Sequence, residues 1–235
     1  FRFNFFESSK VEPVKKEEQD SGEESKKKII QYVTQPFTEE DLEYWSQYGI
    51  TEKDLLQYNI LSLKNVYVNG KLRWTYTPDN PIFGYEFGPG VIKCYRPRAD
   101  KRAGRWLSSA TRHYLAYYYK IPFIGELCII TKSFKDALLL NVLGYNAIAP
   151  NSESISLNLP QIRALKATYN DLLIFYDNDE VGLQSAKKRA DEVGCKYIYI
   201  PEEYEAKDIT DFYVKYGKEE TLNLLNKLIS NEDNH

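Results

Sequence analysis

The feature that most constrains the fold is an apolar run that ends in a cluster of acids. Residues 172–176 form the run, and Asp177-Asn178-Asp179-Glu180 follows it directly. A continuous apolar run of this length is typical of a strand buried on both faces, as in a parallel sheet. Such sheets bind their ligands at the carboxyl ends of the strands. We therefore expect a functional site directly after this strand.

The Asp177 and Asp179 carboxylates point the same way on an extended backbone, because successive side chains alternate between the two faces of a strand. They repel each other unless a cation lies between them, and hard oxygen ligands of this kind suit Mg²⁺ or Mn²⁺. The alternative is a loop acid pair that caps the next helix. Both interpretations stay open at this point.

The acidic run belongs to a region of alternating strand and helix signals. Strands are predicted at 128–131, 147–150, 171–176 and 196–200. Helices are predicted at 133–143, 159–167, 180–193, 208–216 and 218–229. Four strands with helical crossovers predict an α/β fold: a four-stranded parallel sheet with flanking helices.

The preceding region shows different signals. Thr38 and Thr51 each stand before acids and apolar residues at helical spacing, which predicts two capped helices. Short strand-like runs follow between 60 and 95, with Asn69-Gly70 as a hairpin turn. Residues 36–124 are therefore expected to form a smaller mixed α+β subdomain ahead of the parallel sheet.

The two ends of the chain are expected to differ from these parts. Residues 8–28 almost lack apolar side chains, so residues 1–35 are predicted to be a charged linker. The chain starts at Phe1 and contains no Met, which favours a fragment whose upstream domain is missing. Residues 217–235 are predicted to form a C-terminal helix.

Composition narrows the classes of function. A net charge of −3 excludes a uniformly basic nucleic-acid binder, so any such surface must be local. Cys94, Cys128 and Cys195 lack zinc-site spacing and are typical of buried residues in a reducing, intracellular protein. No run is long or apolar enough to cross a membrane, so no membrane partner is expected.

Further acids are expected at the same edge of the sheet. Asp136 lies in the first turn of the helix after the first strand, and Asp208 follows the last strand. Several carboxylates without His or Cys suit magnesium-dependent phosphoryl or nucleotidyl transfer, in which two ions hold the attacking and leaving oxygens. Taken alone, Asp136 and Asp208 are each more typical of helix N-terminal electrostatics, and it is their position together with Asp177 and Asp179 that favours a metal site.

Three segments resemble the motifs of Toprim domains, in the same order. Residues 130–138 (ITKSFKDAL) resemble the opening motif, 175–182 (FYDNDEVG) the Asp-x-Asp motif, and 207–211 (KDITD) the third acidic motif. Within Toprim proteins the chain is similar to the DnaG-like DNA primases of bacteria and, more so, of phages. The resemblance implies a Toprim domain at 125–216 within an RNA-polymerase core that makes RNA primers during DNA replication.

The resemblance also implies the partners. They are a single-stranded DNA template, ribonucleoside triphosphates, Mg²⁺ or Mn²⁺ as two ions, and a replicative helicase in the same chain or separate. It implies a zinc-binding domain upstream, and a location in the cytoplasm of a bacterial or phage-infected cell.

One position departs from the Toprim pattern. Lys132 stands where the motif has its glutamate, and Ser133 where it has a glycine. Lysine cannot ligate Mg²⁺ but can bind phosphate or donate a proton, so Lys132 joins Asp136, Asp177 and Asp179 as a candidate catalytic residue. The candidate metal ligands are Asp177, Asp179, Asp208, Asp136 and Glu153, the last of which follows the second strand and could restore a carboxylate.

The departure leaves other functions open. A Toprim fold that has lost catalysis would only bind nucleic acid or a partner, and a Toprim nuclease would degrade DNA without nucleotides. A topoisomerase would need a nucleophilic tyrosine that no motif here identifies. A phospho-receiver would need an acid pair after the first strand, where this chain has Thr131-Lys132.

Residues 93–109 form a basic segment with the single acid Asp100. They resemble the basic segment of the primase amino-terminal subdomain, and we expect them to bind phosphates of the template or the nucleotide. The alternative is a solvated basic hairpin. The candidate binding residues are Lys93, Arg96, Arg98, Lys101, Arg102 and Arg105.

Overall fold

The computed structural model describes residues 29–100, 104–111, 113–151 and 157–230. In the first part of the chain an antiparallel sheet is built from β1 (Ile30–Gln35), β2 (Ile60–Val68), β3 (Lys71–Thr75), β4 (Phe83–Gly88), β5 (Val91–Tyr95) and β6 (Trp106–Ser108). Its strand order is β1-β2-β4-β5-β6, and β3 pairs with β2 outside this path. The mixed α+β character expected of this region is confirmed.

Strand β1 lies in the range that the sequence analysis assigned to a linker. It pairs antiparallel with β2, from Ile30 opposite Val68 to Gln35 opposite Ser62. Only Ile30, Tyr32 and Gln35 of β1 are withdrawn from solvent, so the strand has a short apolar signal in the sequence. Residues 30–35 therefore belong to the sheet, and the rest of the predicted linker, residues 1–28, lies outside the described residues.

Two capped helices, α1 (Glu39–Ser46) and α2 (Glu52–Gln57), connect β1 to β2. Each begins with the predicted threonine in a capping box: Thr38 exchanges hydrogen bonds with Asp41, and Thr51 with Asp54. Trp45 of α1 is fully buried against Phe83 of β4, with ring centroids 5.2 Å apart. The helices thus cover the face of the antiparallel sheet that turns toward the rest of the molecule.

The second part contains the predicted parallel sheet. Its strands are β7 (Leu115–Ala116), β8 (Gly125–Thr131), β9 (Ala147–Pro150), β10 (Tyr169–Phe175) and β11 (Lys196–Ile198). The order is β11-β10-β8-β9-β7. The four strands β8 to β11 run parallel, as expected, whereas the short β7 is an additional antiparallel edge strand beside β9.

Helices cover both faces of this sheet: α3 (Phe134–Val142), α4 (Leu159–Thr168), α5 (Glu180–Val193) and α6 (Ile209–Ser230). On β10, Leu173 and Phe175 join the core formed with α3 and α6, while Leu172 and Ile174 join the core formed with α4 and α5. Burial on both faces explains why this strand is apolar without alternation.

Helix α6 consists of two helical stretches with a break at Gly217, whose φ of 80° is not helical. The sequence predicted this division. Leu224, Leu225 and Leu228 of the second stretch are buried in the same core as α3. Among the helices of the described ranges, none is long and apolar enough to span a membrane.

The two sheets share one hydrophobic core. Phe134, at the start of α3, packs edge-on against Tyr85 and Phe87 of β4, at centroid distances of 5.1 and 5.7 Å. Tyr117 donates a hydrogen bond to the Phe134 carbonyl oxygen. The antiparallel sheet is thereby fixed beside the first turn of α3, which is where the acidic edge of the parallel sheet begins.

Candidate active site

Three of the predicted acids meet at the carboxyl edge of the parallel sheet. Asp136 lies in the first turn of α3, Asp177 follows β10, and Asp208 directly precedes α6. One carboxylate oxygen from each lies within 4.8 Å of the others. Strands β8 and β10 are neighbours, so the segments that follow them begin side by side. This edge is where open α/β sheets place ligands.

Thr210 links two of these acids through a single hydroxyl. Its Oγ1 lies 2.6 Å from Asp208 Oδ1 and 3.1 Å from Asp136 Oδ1. A hydroxyl has one hydrogen and can donate to only one carboxylate at a time. Asp208 Oδ1 also accepts a 2.8 Å hydrogen bond from the Asp211 amide, so Asp136 is the acid that loses its donor when the Thr210 hydroxyl turns to Asp208. A proton or a cation at Asp136 would compensate for that loss.

The environment of Asp136 opposes its ionisation. Only 4% of the residue is exposed, and burial raises the pKa of its carboxyl well above the usual range, with the nearby Asp208 and Asp177 adding to the shift. Burial likewise raises the pKa of Asp177, although the Lys207 ammonium acts in the opposite direction. A divalent cation would relieve both effects, and three carboxylates form a donor set that fits Mg²⁺ or Mn²⁺.

Asp179 has a different role from Asp177. It is the N-cap of α5, and its Oδ1 accepts a 2.7 Å hydrogen bond from the Gly182 amide. That bond is the main reason why the pKa of Asp179 is lowered. Its Oδ2 lies 3.3 Å from Lys207 Nζ. The helix-capping interpretation therefore applies to Asp179, which does not belong to the three-carboxylate cluster.

Three lysines surround the acids. Lys207 Nζ lies 3.2 Å from Asp177 Oδ2, and this contact raises the pKa of Lys207. Burial lowers the pKa of Lys135, but Tyr48, Asp136 and Asp208 outweigh it, so the net shift is upward. The Lys132 ammonium is close enough to Asp177 and Asp179 to favour the ionised form of both. The edge therefore carries cations as well as carboxylates.

The basic segment is divided by the alternation of strand β5. Lys93 points toward the parallel sheet: its Nζ donates a 2.5 Å hydrogen bond to the Asn151 carbonyl and lies 4.0 Å from the Phe134 ring centroid and 4.5 Å from that of Trp106. Arg96 lies over Trp74, which is buried in the core on the opposite face of the antiparallel sheet.

The remaining basic residues are placed apart from the acids or not described. Arg98 donates to the Pro78 carbonyl over 3.2 Å, which ties its loop to the one after β3, and Arg105 Nε donates to the Ala99 carbonyl over 2.6 Å within its own loop. Lys101, Arg102 and the candidate ligand Glu153 lie outside the described residues. Of the predicted basic set, Lys93 is the member that the structure brings to the junction of the two sheets.

Sequence reasoning missed several residues of this site. Lys207 was quoted only as part of the third acidic motif, although its position beside Asp208 was a signal. Thr210 lies two residues further on, and nothing in its local sequence indicates that it bridges two acids. Lys135 donates to the Tyr48 hydroxyl over 3.2 Å across 87 residues of sequence, a contact that no local pattern predicts.

No family model matches the chain, and no curated protein matches it. Several solved structures do. A DnaG primase catalytic domain bound to single-stranded DNA matches with a TM-score of 0.59 and 15% identity, over 82% of this chain and 75% of that one. The zinc-binding and RNA-polymerase domains of the Aquifex aeolicus primase match with a TM-score of 0.57 and 19% identity, over 81% and 56%.

A third match comes from bacteriophage T7, from an assembly of lagging-strand DNA polymerase with primase domains of two gp4 subunits bound to an RNA/DNA hybrid. It has a TM-score of 0.52 and 12% identity, over 86% of this chain and 92% of that one. At such identities the similarity establishes the fold. The chain has the DnaG-like fold of primase catalytic cores, which confirms the fold implied by the motif resemblance.

Proposed function

We propose that this chain is the core of a DNA primase, a nucleotidyltransferase that joins ribonucleotides into short primers on a single-stranded DNA template. One observation supports the proposal above all. Carboxylates from three separate elements, Asp136, Asp177 and Asp208, meet within 4.8 Å in a chain with the fold of primase catalytic cores. Such a cluster is unfavourable without a cation and is suited to holding one.

In this proposal Asp136, Asp177 and Asp208 hold Mg²⁺ or Mn²⁺. When bound, the metal supplies Lewis-acid activation of the attacking 3′-hydroxyl and neutralisation of phosphate charge. The protein's part is to fix the three carboxylates on rigid elements, since each lies at the start of a helix or directly after a buried strand. Thr210 orients Asp136 and Asp208 through its hydroxyl.

In this proposal the lysines at the carboxyl edge of the parallel sheet bind the phosphates of the substrates. Lys132, in the position of the Toprim glutamate, would contact the nucleotide or its pyrophosphate as a point charge. Lys93 lies on the antiparallel side of the junction, beside the Trp106 ring, which is 43% exposed and stacks on Tyr95 at 4.1 Å. A lysine next to an exposed ring pair suits a phosphate and a stacked base of the template strand.

The direct test is extension of a short RNA annealed to a DNA template, with ribonucleotides and Mg²⁺ or Mn²⁺. This format does not depend on recognition of a start site. We expect extension by the unmodified chain and a loss of at least about 100-fold in Asp177→Ala. Asp171→Ala is the matched control, because Asp171 is an exposed acid at the other end of the same strand. Full extension by Asp177→Ala would contradict the proposal.

A second candidate function is a Toprim module that binds nucleic acid without chemistry. Lys132 favours it, because a lysine replaces a carboxylate at this edge. In that case the chain would bind single-stranded DNA but would not extend a primer with either metal, and Asp177→Ala would leave binding unchanged. A Toprim nuclease would instead shorten labelled DNA in the same reaction without added nucleotides.

The further expectations stay part of the proposal. They are a division into a basic α+β subdomain at 36–124 and a Toprim domain at 125–216, action in the cytoplasm of a bacterial or phage-infected cell, and cooperation with a replicative helicase. The similarity to the primase fragment of the bacteriophage T7 primase-helicase protein supports the last of these.

A further inference from the structure

We propose that the Lys207 ammonium takes the place of the second divalent ion, so that this centre holds a single metal ion at Asp136, Asp177 and Asp208. The inference deepens the proposed function and rests on its metal site. It departs from the two ions expected from the motif resemblance. Four observations on Lys207 and its neighbours carry it.

The first observation is the position of the ammonium group. Lys207 Nζ lies 3.2 Å from Asp177 Oδ2 and 3.3 Å from Asp179 Oδ2, so one cation joins both members of the Asp-x-Asp pair. Two carboxylates in this position repel each other unless a cation lies between them. The structure supplies that cation from the protein itself.

The second observation is that Asp179 has both of its oxygens engaged. Oδ1 accepts the Gly182 amide at the start of α5, and Oδ2 faces Lys207. A metal ion at Asp179 would have to share an oxygen with the helix cap or with the lysine ammonium, which repels a cation. By contrast, Asp136, Asp177 and Asp208 lie together without it.

The third observation is that the backbone holds Lys207 in this place. The Asn178 amide, between the two aspartates, donates a 2.8 Å hydrogen bond to the Lys207 carbonyl. The Asn178 side chain donates a 3.3 Å hydrogen bond to the carbonyl of Ala206. The Asp-x-Asp loop and the segment before α6 are therefore tied to each other, and the lysine side chain starts beside the acids that it contacts. This built position distinguishes it from an ordinary surface ion pair, although the side chain is half exposed.

The fourth observation is the net formal charge of the side chains at the carboxyl edge of the parallel sheet. The carboxylates of Asp136, Asp177, Asp179 and Asp208 face the ammonium groups of Lys132, Lys135 and Lys207, which leaves a formal charge of −1. A single divalent ion changes this to +1. With a glutamate at position 132 the same edge would need two divalent ions to reach +1. The lysine at 132 and the single ion are thus consistent with each other.

The test is a titration with Mn²⁺, in which electron paramagnetic resonance measures free ion and so counts bound ions without any primer synthesis. We expect one bound ion in the unmodified chain. Lys207→Gln should admit a second ion, with a dissociation constant at least about 10-fold below that of any second site in the unmodified chain. Adding Asp179→Asn to Lys207→Gln should remove that second ion, because Asp179 would be its ligand.

Two control variants test whether the number of bound ions depends on the charge of Lys207. Lys215→Gln removes a lysine that pairs with the exposed Glu205 at 3.0 Å, and should leave the count at one. Lys207→Arg keeps the positive charge and should also bind one ion, which separates the effect from misfolding, with circular dichroism as the check. Two ions in the unmodified chain, or one in folded Lys207→Gln, would overturn this inference alone. Absence of any bound ion would overturn the proposed metal centre as well.

Discussion

Asp136 is a buried acid whose ionised form is unfavourable in the fold unless a cation is bound beside it. It is buried, its carboxylate has one shared hydroxyl donor in Thr210, and two further acids stand nearby. Burying a charge without a partner is costly, and the group responds by holding its proton. This arrangement weakens the metal-free protein at neutral pH, and a cation would turn the same cost into binding energy.

We therefore expect Asp136→Asn to stabilise the metal-free protein at pH 7. The folded-state pKa of Asp136 is raised, so the folded state binds more protons than the unfolded state, and stability falls as pH rises from about 4 toward the raised pKa. Removing the charge should gain at least about 1 kcal/mol, or roughly 2–4 °C in Tm. Thermal melts with a chelator at pH 7 and pH 5 measure this, and the gain should be smaller at pH 5.

The control variant is Asp171→Asn. Asp171 is an exposed acid on β10, so this substitution should leave the melting temperature of the protein unchanged. A lower melting temperature for Asp136→Asn than for the unmodified chain at pH 7 would show that the Asp136 carboxylate is stabilised in the fold by a partner other than a metal.

Lys132 stands in the position of the Toprim glutamate, and the sequence allows it either to bind phosphate or to donate a proton. We expect Lys132→Ala to raise the KM for ribonucleoside triphosphates about 10- to 100-fold, the value of one charge-assisted hydrogen bond, with a smaller change in kcat. Lys132→Arg should recover part of the loss because it keeps the charge. Steady-state primer extension measures both, with Lys188→Ala on the exposed face of α5 as the control. A drop in kcat alone would instead indicate a proton donor.

At the scale of elements, the turn between β10 and α5 sets the acid geometry. Gly182 lies in the first turn of α5, and a Cβ there would stand 2.1 Å from the Asp177 carbonyl oxygen. The helix therefore packs directly on the backbone of Asp177, the proposed metal ligand. The glycine after the Asp-x-Asp motif is explained by this close approach rather than by an unusual backbone angle.

Gly182→Ala consequently provides a test in which helix propensity and packing have opposite signs. Alanine is the better helix former by about 1 kcal/mol, but the clash with Asp177 must move backbone, which typically costs about 1–3 kcal/mol. We expect lower stability in denaturant unfolding and weaker Mn²⁺ binding. Gln184→Ala, at an exposed position of the same helix, should do neither. A more stable Gly182→Ala with unchanged metal binding would contradict this packing argument.

Local chemistry made most elements predictable. Thr38 and Thr51 act as the caps that their sequence context indicated, Ser133 caps α3, and Gly194 ends α5 in the left-handed conformation. The basic segment was not predictable in the same way. Lys93 lies in β5 and Arg96 just after its end, and their side chains lie on opposite faces of the sheet, so charges that are close in sequence are separated by the sheet itself.

At the scale of the whole molecule, the convergence of acids was predictable but their partners were not. The carboxyl ends of parallel strands lie at one edge, which brings Asp136, Asp177 and Asp208 together from sequence order alone. Contacts such as Lys135 with Tyr48 depend on how the antiparallel sheet docks on α3. That docking is set by the shared core around Phe134, which has no signature in local sequence.

Because the three acids link α3, the β10–α5 turn and the start of α6, metal binding should stabilise the entire fold. A ligand that binds only the folded state adds RT ln(1 + [L]/Kd), which for about 10 mM Mg²⁺ and a Kd of about 0.1–1 mM is roughly 1.4–2.7 kcal/mol. For a chain of this size the expected rise in Tm is roughly 3–10 °C. Asp208→Asn should lose most of this rise. Asp211→Asn changes an exposed acid three residues further on and should keep it. Equal shifts in the two variants would place the ion away from the three-carboxylate cluster.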